Sequence, residues 1–319
     1  MAAKRDKAAP PAARPSLMTR VLSLLRGAED EPAPPAIAGT AAAPAPAHAA
    51  APPPPLLDTL TIRQWLWGPG FNTPGDADYV RDLVKPFAAN SSMSILEVAS
   101  GLGGPARVIA ETFDTYVTGL ERDPEIARLG MEMSVTAGKQ KHAPITQFDP
   151  ESFELRTGAF DCILGRGATY MVQDKERFMR VLILGLKQRG QLLLTDYVID
   201  PTRADRPEVA MWAALQPVKP HLWTLRQYTD CFNSLGFDTR ITEDVTSDVK
   251  AQIILGWERL LHHVNLKSLP RLHRLAVVDE CERWVKTIMA LDSGAIRGYR
   301  FYALAGASRP PVSSIKKAK

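Results

Sequence analysis

The residues that could do chemistry gather around one turn. The run Ser94-Ile95-Leu96-Glu97-Val98-Ala99-Ser100-Gly101-Leu102-Gly103-Gly104-Pro105-Ala106 is apolar, ends in a carboxylate, breaks into glycines and resumes as a helical pattern at Arg107-Val108-Ile109-Ala110. Glycines at a strand-to-helix turn let the backbone approach a ligand closely, and the helix N-terminus behind them favours a negative group. Two further carboxylates, Glu121 and Asp149, follow at the ends of later strand-like segments. Gly101-x-Gly103-x-x-Ala106 also satisfies the loose dinucleotide fingerprint, with Glu121 at the distance of a ribose-binding acid. The loop alone leaves a nicotinamide cofactor and other nucleoside ligands open.

Three features narrow that choice. Glu97 lies just before the glycines, where a pyrophosphate would be repelled and an amino group held. Asp149 follows the third strand, where it can accept from an adenine amine. The third feature is the order of the elements that must position these groups.

Strands are expected at Ser94–Val98, 115–121, 144–148, Phe160–Leu164 and 191–196, with helices at about 105–112, 124–138 and 175–186 between them. Helices at 62–67 and 76–85 precede the first strand, separated by turns at Gly68-Pro69-Gly70 and Pro74-Gly75. Near-strict alternation of strand and helix means a parallel sheet with crossovers on both faces. After Asp196 come a polar, Pro-containing insert, a helix at about 225–235, a strand at 238–242, a long helical region at 248–290 interrupted near Pro270, and a last strand at 299–305.

At 319 residues the chain suits one large domain with additions. Residues 1–55 form an Ala/Pro-rich tract that buries too little apolar surface to offset its ordering entropy, and they are expected to be disordered. Within them, residues 16–27 place Leu17, Val21, Leu24 and Leu25 at helical spacing, which suits a short amphipathic helix: a nascent helix of no consequence, a weak membrane-surface contact or a protein-docking peptide. The catalytic-type domain is expected over 56–306, followed by a basic flexible tail at 307–319. The net charge of +4 owes much to the tails, too thin for a nucleic-acid footprint. No apolar run is long enough to span a membrane. Cys162, Cys231 and Cys281 are odd in number and far apart, which argues against a disulfide framework or zinc site and for a reducing, cytoplasmic compartment.

Taken together these pieces resemble the class I S-adenosylmethionine-dependent methyltransferases, from about Trp65 to Ala305. "ILEVASGLGGPA" resembles the family's first motif, with Glu97, Ala99, Gly101 and Gly103; "GLERD", with Glu121 and Arg122, the ribose-binding second; and "QFDP", with Asp149, the adenine-binding third. "FDCILGRGATYM", with Arg166, resembles the strand-four motif, "LKQRGQLLLTDY" the fifth-strand segment, and "GYRFYALAG" the closing antiparallel strand. The resemblance implies a doubly wound α/β fold: a seven-stranded, mostly parallel Rossmann-like sheet with a helical insert, an antiparallel last strand and S-adenosylmethionine at the carboxyl ends of the strands. Ala99 stands where the family usually has glycine.

Within that superfamily the chain is similar to the phosphoethanolamine and small-amine N-methyltransferases, through "LWGPGFNTPG", "GLGG", "LLLTDY" and "RGYRFYALA". That similarity implies a small-molecule acceptor, most simply a small amine or polar metabolite, with Tyr197 as an acceptor-site tyrosine and Lys286 as a phosphate-binding lysine. It fails after the fourth strand. Where the group carries an acid and a histidine, this chain reads Gly165-Arg166-Gly167-Ala168-Thr169-Tyr170-Met171. An ammonium acceptor must lose a proton before its lone pair attacks, so the missing pair leaves open an isoprenoid or lipid-like acceptor, or a non-catalytic cofactor-binding role.

Other residues carry two readings each. Tyr170 either lines the acceptor site or merely covers it. Trp65, Trp67 and Phe71 form an aromatic lid or pack a helix on the sheet. Trp212, His221 and Trp223 lie in the insert that covers the substrate in this fold, with core packing the default for both tryptophans. His262 and His263 point about 100° apart on a helix and are expected to be solvated or capping, so no metal is assigned.

Overall fold

In a computed structural model, which describes residues 55–306, seven strands form one sheet in the order β3-β2-β1-β4-β5-β7-β6. The strands are β1 (Ser94–Val98), β2 (Tyr116–Glu121), β3 (Ile145–Gln147), β4 (Phe160–Arg166), β5 (Leu186–Ile199), β6 (Phe237–Asp244) and β7 (Ile296–Ala305). β1 through β5 pair in parallel, while β7 runs antiparallel between β5 and β6. The strand order reverses between β1 and β4, so their carboxyl ends open a crevice at that switch point.

The helices are α1 (Leu56–Trp67), α2 (Ala77–Leu83), α3 (Gly104–Phe113), α4 (Pro124–Thr136), α5 (Lys175–Gly185), α6 (Pro207–Ala213), α7 (Leu225–Ser234), α8 (Thr246–His263) and α9 (Arg271–Asp292). Side chains cap several of them: Asp76 accepts from the Tyr79 amide, Asp123 from those of Glu125 and Ile126, and Thr224 forms a capping box with Gln227. One apolar cluster fills the face under α1, α3, α8 and α9, built on Trp67, Phe87, Ile109 and Trp257. A second fills the opposite face around Phe178, Leu182, Tyr228 and Phe232. The central strands are therefore covered on both sides, as parallel strands require.

The expected alternation holds, with three differences. α1 begins at Leu56 rather than near Ile62. β5 runs from Leu186 to Ile199, because its irregular start at Arg189 and Gly190, seen as a register shift against β4, hides the strand's first residues. The insert after β5 contains α6, which starts at Pro207, a residue suited to the first helical position. The amphipathic segment 16–27, residues 1–54 of the extension and the 307–319 tail lie outside the described residues. No helix among the described residues is long and apolar enough to cross a membrane.

Candidate active site

A cavity of about 570 Å³ opens over the carboxyl ends of β1, β2, β4 and β5. Its two ends are built differently. At one end, the turn after β1 folds because Ala99, Gly101 and Gly103 all adopt left-handed backbone, with φ of 56°, 57° and 75°. A Cβ on Gly101 would meet the Asn72 side-chain oxygen at 2.1 Å and would sit in strained left-handed backbone, so a side chain here would have to displace Asn72. Ala99 accepts the left-handed conformation despite its methyl group.

Glu121, at the end of β2, lines the cavity and accepts from the Gly101 and Asp123 amides, each at 2.9 Å. Burial raises its pKa, opposed by those amides. Glu97 is almost fully buried and lines a small cleft with Asn72, Thr73, Ala99 and Arg166, which also belong to the main cavity. Burial pushes its carboxyl up to about 8, against the pull of the nearby Arg166 and Arg107 guanidiniums. Its Oε2 has no hydrogen-bond partner, and neither do the buried Ser100 Oγ in the same turn and the buried Nη1 of Arg122, which directly follows β2. Orphaned buried polar groups cost about 1–3 kcal/mol each, so a polar ligand that reached these three would offset a standing penalty. A glycine cradle, an unsatisfied carboxylate for an amino group and a cavity-facing acid at the second strand fit an amino-acid-bearing nucleoside such as S-adenosylmethionine.

The other end is made of side chains from distant segments. Tyr170, Tyr197 and Trp212 form an aromatic wall with ring centroids 5.3–5.5 Å apart, and the Tyr170 hydroxyl donates to Gln216 Oε1 at 3.0 Å. Burial raises both phenols, that of Tyr170 to about 12, so they stay neutral. Arg63 on α1 donates through Nε to buried Glu280 at 2.6 Å, and Arg283 on α9 approaches the same carboxylate at 3.9 Å. Two guanidiniums thus share one carboxylate. Arg166 lies between the two ends, donating to the Pro74 carbonyl at 2.7 Å.

The structure gathers Ala99, Gly101, Glu121, Arg122, Arg166, Tyr170 and Tyr197 around the main cavity, with Glu97 in the adjoining cleft. Gly103 caps α3 behind the loop. Two expected site residues stand elsewhere. Asp149 is exposed and accepts from Ser152 Oγ at 2.6 Å and from the Glu151 amide at 3.0 Å, contacts that lower its pKa; its neighbours Phe148 and Pro150 line the cavity instead. Lys286 pairs with Glu282 at 2.5 Å and does not line the cavity, whereas Arg283, Trp284 and Thr287 do.

Of the open readings, Trp65 packs against His273 and Trp67 against Trp284, leaving Leu56, Thr59 and Arg63 as the α1 residues on the cavity. Phe71 reaches only the small cleft. Trp212 lines the cavity, whereas Trp223 covers Lys175. His221 donates its backbone amide to the Tyr170 carbonyl. His262 and His263 contact each other, and no group of residues suited to a metal ion occurs among the described residues.

This sheet order, with a glycine turn after β1 and an acid ending β2, defines the class I S-adenosylmethionine-dependent methyltransferase fold. A family described as a methyltransferase domain matches residues 75–240, half of the chain, and the chain belongs to that family. It is 25% identical over 181 residues to phosphoethanolamine N-methyltransferase 3 of Arabidopsis thaliana, a match covering 57% of this chain and 36% of the relative. The chain thus matches about a third of the length of its plant relatives. Phosphoethanolamine N-methyltransferase 2 of Haemonchus contortus, solved with S-adenosyl-L-methionine, superposes with a TM-score of 0.68 at 19% identity, covering 78% of this chain and 57% of that one. Geranyl diphosphate C-methyltransferase of Streptomyces coelicolor A3(2), solved with Mg2+, geranyl diphosphate and S-adenosyl-L-homocysteine, superposes at 0.54 and 13% identity, covering 72% and 79%.

Proposed function

We propose that the chain transfers a methyl group from S-adenosylmethionine to a small acceptor that carries an amine and an anionic group. The observation behind this reading is the continuity of one cavity from Glu121 and the glycine turn to Arg63, Arg283 and the tyrosine wall. Glu97 would take the cofactor's ammonium, Glu121 its ribose hydroxyls, Arg122 a polar edge, and Phe148 and Pro150 would flank the purine. When bound, the cofactor supplies an activated sulfonium methyl, so the chain's own task is to align the acceptor and exclude water.

At the far end Arg63 and Arg283 exceed their shared Glu280 by one positive charge, which suits an anion such as a phosphoryl group. The aromatic wall favours a second acceptor, an isoprenoid diphosphate, whose anion would use the same arginines. The buried thiols Cys162, Cys231 and Cys281 fit a reducing, cytoplasmic setting, which belongs to the same proposal.

Calorimetric titration with S-adenosylmethionine tests the cofactor, and S-adenosylhomocysteine release with phosphoethanolamine or geranyl diphosphate tests the acceptor. Glu121→Ala should weaken S-adenosylmethionine about tenfold or more, through loss of charge-assisted hydrogen bonds. Unchanged affinity in that variant would remove Glu121 from the cofactor site. Binding of NADH in preference to S-adenosylmethionine would overturn the reading as a whole.

A further inference from the structure

Methylation of an ammonium nitrogen needs a destination for its proton, and the acid and histidine of similar amine methyltransferases are replaced here by Gly167 and Met171. The carboxylates among the described residues lining the cavity are Glu121, Asp123 and Asp196. Glu121 has both oxygens held by backbone amides at the cofactor end. Asp123 caps α4. Glu121 and Asp123 adjoin the glycine turn, whereas Asp196 adjoins Tyr197 on the aromatic wall. The cations Arg63, Arg122, Arg166 and Arg283 accept no proton, the buried phenols of Tyr170 and Tyr197 stay neutral, and among the described residues no histidine lines the cavity.

Asp196 is different. It lies between Thr195 and Tyr197 at the carboxyl end of β5, and it is buried on the cavity wall. Its Oδ2 accepts from the Tyr228 hydroxyl of α7 at 2.6 Å and from the Thr169 hydroxyl, and those two hydroxyls are themselves 2.7 Å apart. Its Oδ1 accepts from the Tyr197 amide at 2.8 Å. The Tyr170 backbone amide, in the turn after β4, also donates to this carboxylate, and Lys175 from α5 supplies a buried cation whose Nζ donates to the Val172 carbonyl at 3.2 Å. Burial brings the Asp196 carboxyl up to about 7 and the Lys175 ammonium down to about 8. A general base works best when its pKa lies near the working pH.

We propose that Asp196 takes the proton released by the acceptor nitrogen. The proposal rests on the amine reading above. The acceptor's N–H bond breaks and an O–H bond forms on the Asp196 carboxylate. The freed lone pair then forms the N–C bond while the S–C bond breaks and its electron pair stays on sulfur. The proton leaves Asp196 for water once product departs. Tyr228 and Thr169 hold the carboxylate in place, and Lys175 favours its ionised form between turnovers.

The test uses the full-length protein, with phosphoethanolamine, ethanolamine and sarcosine as amine probes and S-adenosylhomocysteine release as the readout; S-adenosylmethionine binding is measured separately. With the best probe, kcat/KM should rise with pH to a plateau, with an apparent pKa near 7. Asp196→Asn should lower kcat about 100-fold, leave KM within about threefold, and flatten the profile. Tyr228→Phe removes a hydrogen bond to the ionised carboxylate, so it should move the rising limb to higher pH and preserve the plateau, a shift that a merely structural role would not produce. A rising limb that stays in place in both variants, or wild-type kcat in Asp196→Asn, overturns the proposal. So does failure of all three probes, and if S-adenosylmethionine still binds, that failure leaves the cofactor reading standing.

Discussion

The two ends of the cavity are made by different rules. The cofactor end comes from residues close together in the chain: a turn of left-handed backbone at 99–103, a carboxylate two residues before it, and an acid at the end of the neighbouring strand. Its polar groups include unsatisfied ones. The acceptor end takes Arg63 from α1, Asp196 and Tyr197 from β5, Trp212 from α6 and Arg283 from α9, and most of its polar groups already hold one another. Backbone turns fix a ligand shared by many relatives, whereas side chains drawn from scattered helices can change without disturbing the sheet. The acceptor is therefore where this chain is free to differ from similar enzymes.

That contrast can be broken most sharply by pH. Buried Glu97 is neutral below about 8 in the free protein and must ionise to hold an ammonium. S-adenosylmethionine affinity should therefore rise with pH, by about 20-fold between pH 6 and 7.5 if one proton is released, and Glu97→Gln should bind weakly with a flat profile. The sign for stability is opposite. A carboxyl raised above its unfolded value of 4.5 contributes stability that is present below that pH and lost as pH rises through about 8. Glu97→Gln should therefore be more stable than wild type at pH 8, even as it loses the ligand. Thermal unfolding and calorimetry across the same buffers check both halves, and affinity that does not depend on pH would separate Glu97 from the cofactor end.

A smaller effect sharpens the contrast from the other side. Arg283→Gln removes one of the two cations sharing Glu280 and should weaken phosphoethanolamine binding about tenfold, with S-adenosylmethionine affinity unchanged. Lys286→Gln should change neither, because that lysine is paired with Glu282 and does not line the cavity. Calorimetric titration of both ligands into each variant separates the outcomes. Loss of acceptor binding in Lys286→Gln with Arg283→Gln intact would reverse the assignment.

The same division explains what could be read in the sequence. β1, the glycine turn and the position of Glu121 were legible because they depend on local backbone and on spacing within one strand-helix-strand unit. Asp149 follows a strand as short as Ile145–Gln147 and begins Asp-Pro-Glu-Ser, a run in which the carboxylate can serve its own turn, as it does with Glu151 and Ser152. The spacing that suggests an adenine contact carries no information on that competition. Lys286 lies two residues, roughly 200°, from Trp284 on α9, so the buried stripe Ala276, Glu280, Trp284 and Leu291 would have favoured Arg283 over it. Arg63 was obscured because α1 emerges directly from a Pro-rich stretch and starts earlier than its apolar pattern suggests. Asp196 was visible as the acid of "LLLTDY", but its role depends on Thr169, Lys175 and Tyr228, and no spacing rule brings those together.

The smallest effect tests whether the cofactor turn is limited by its backbone. Ala99 sits at φ 56° beside the glycines, where an L-residue with a Cβ pays about 1–2 kcal/mol relative to its preferred conformations. Ala99→Gly removes that strain but adds conformational freedom to the unfolded chain, worth roughly 0.5–1 kcal/mol in the opposite direction. The difference leaves the variant more stable by about 0.5 kcal/mol, which urea unfolding at pH 7 can detect as a higher midpoint with an unchanged slope. S-adenosylmethionine affinity should stay within about twofold, because the methyl group occupies no position that the turn needs for its backbone path. A variant that is less stable would mean that the Ala99 methyl contributes packing against the cluster around Leu96 and Val98 that outweighs its strain, and the turn would then be held by its side chain as well as its backbone.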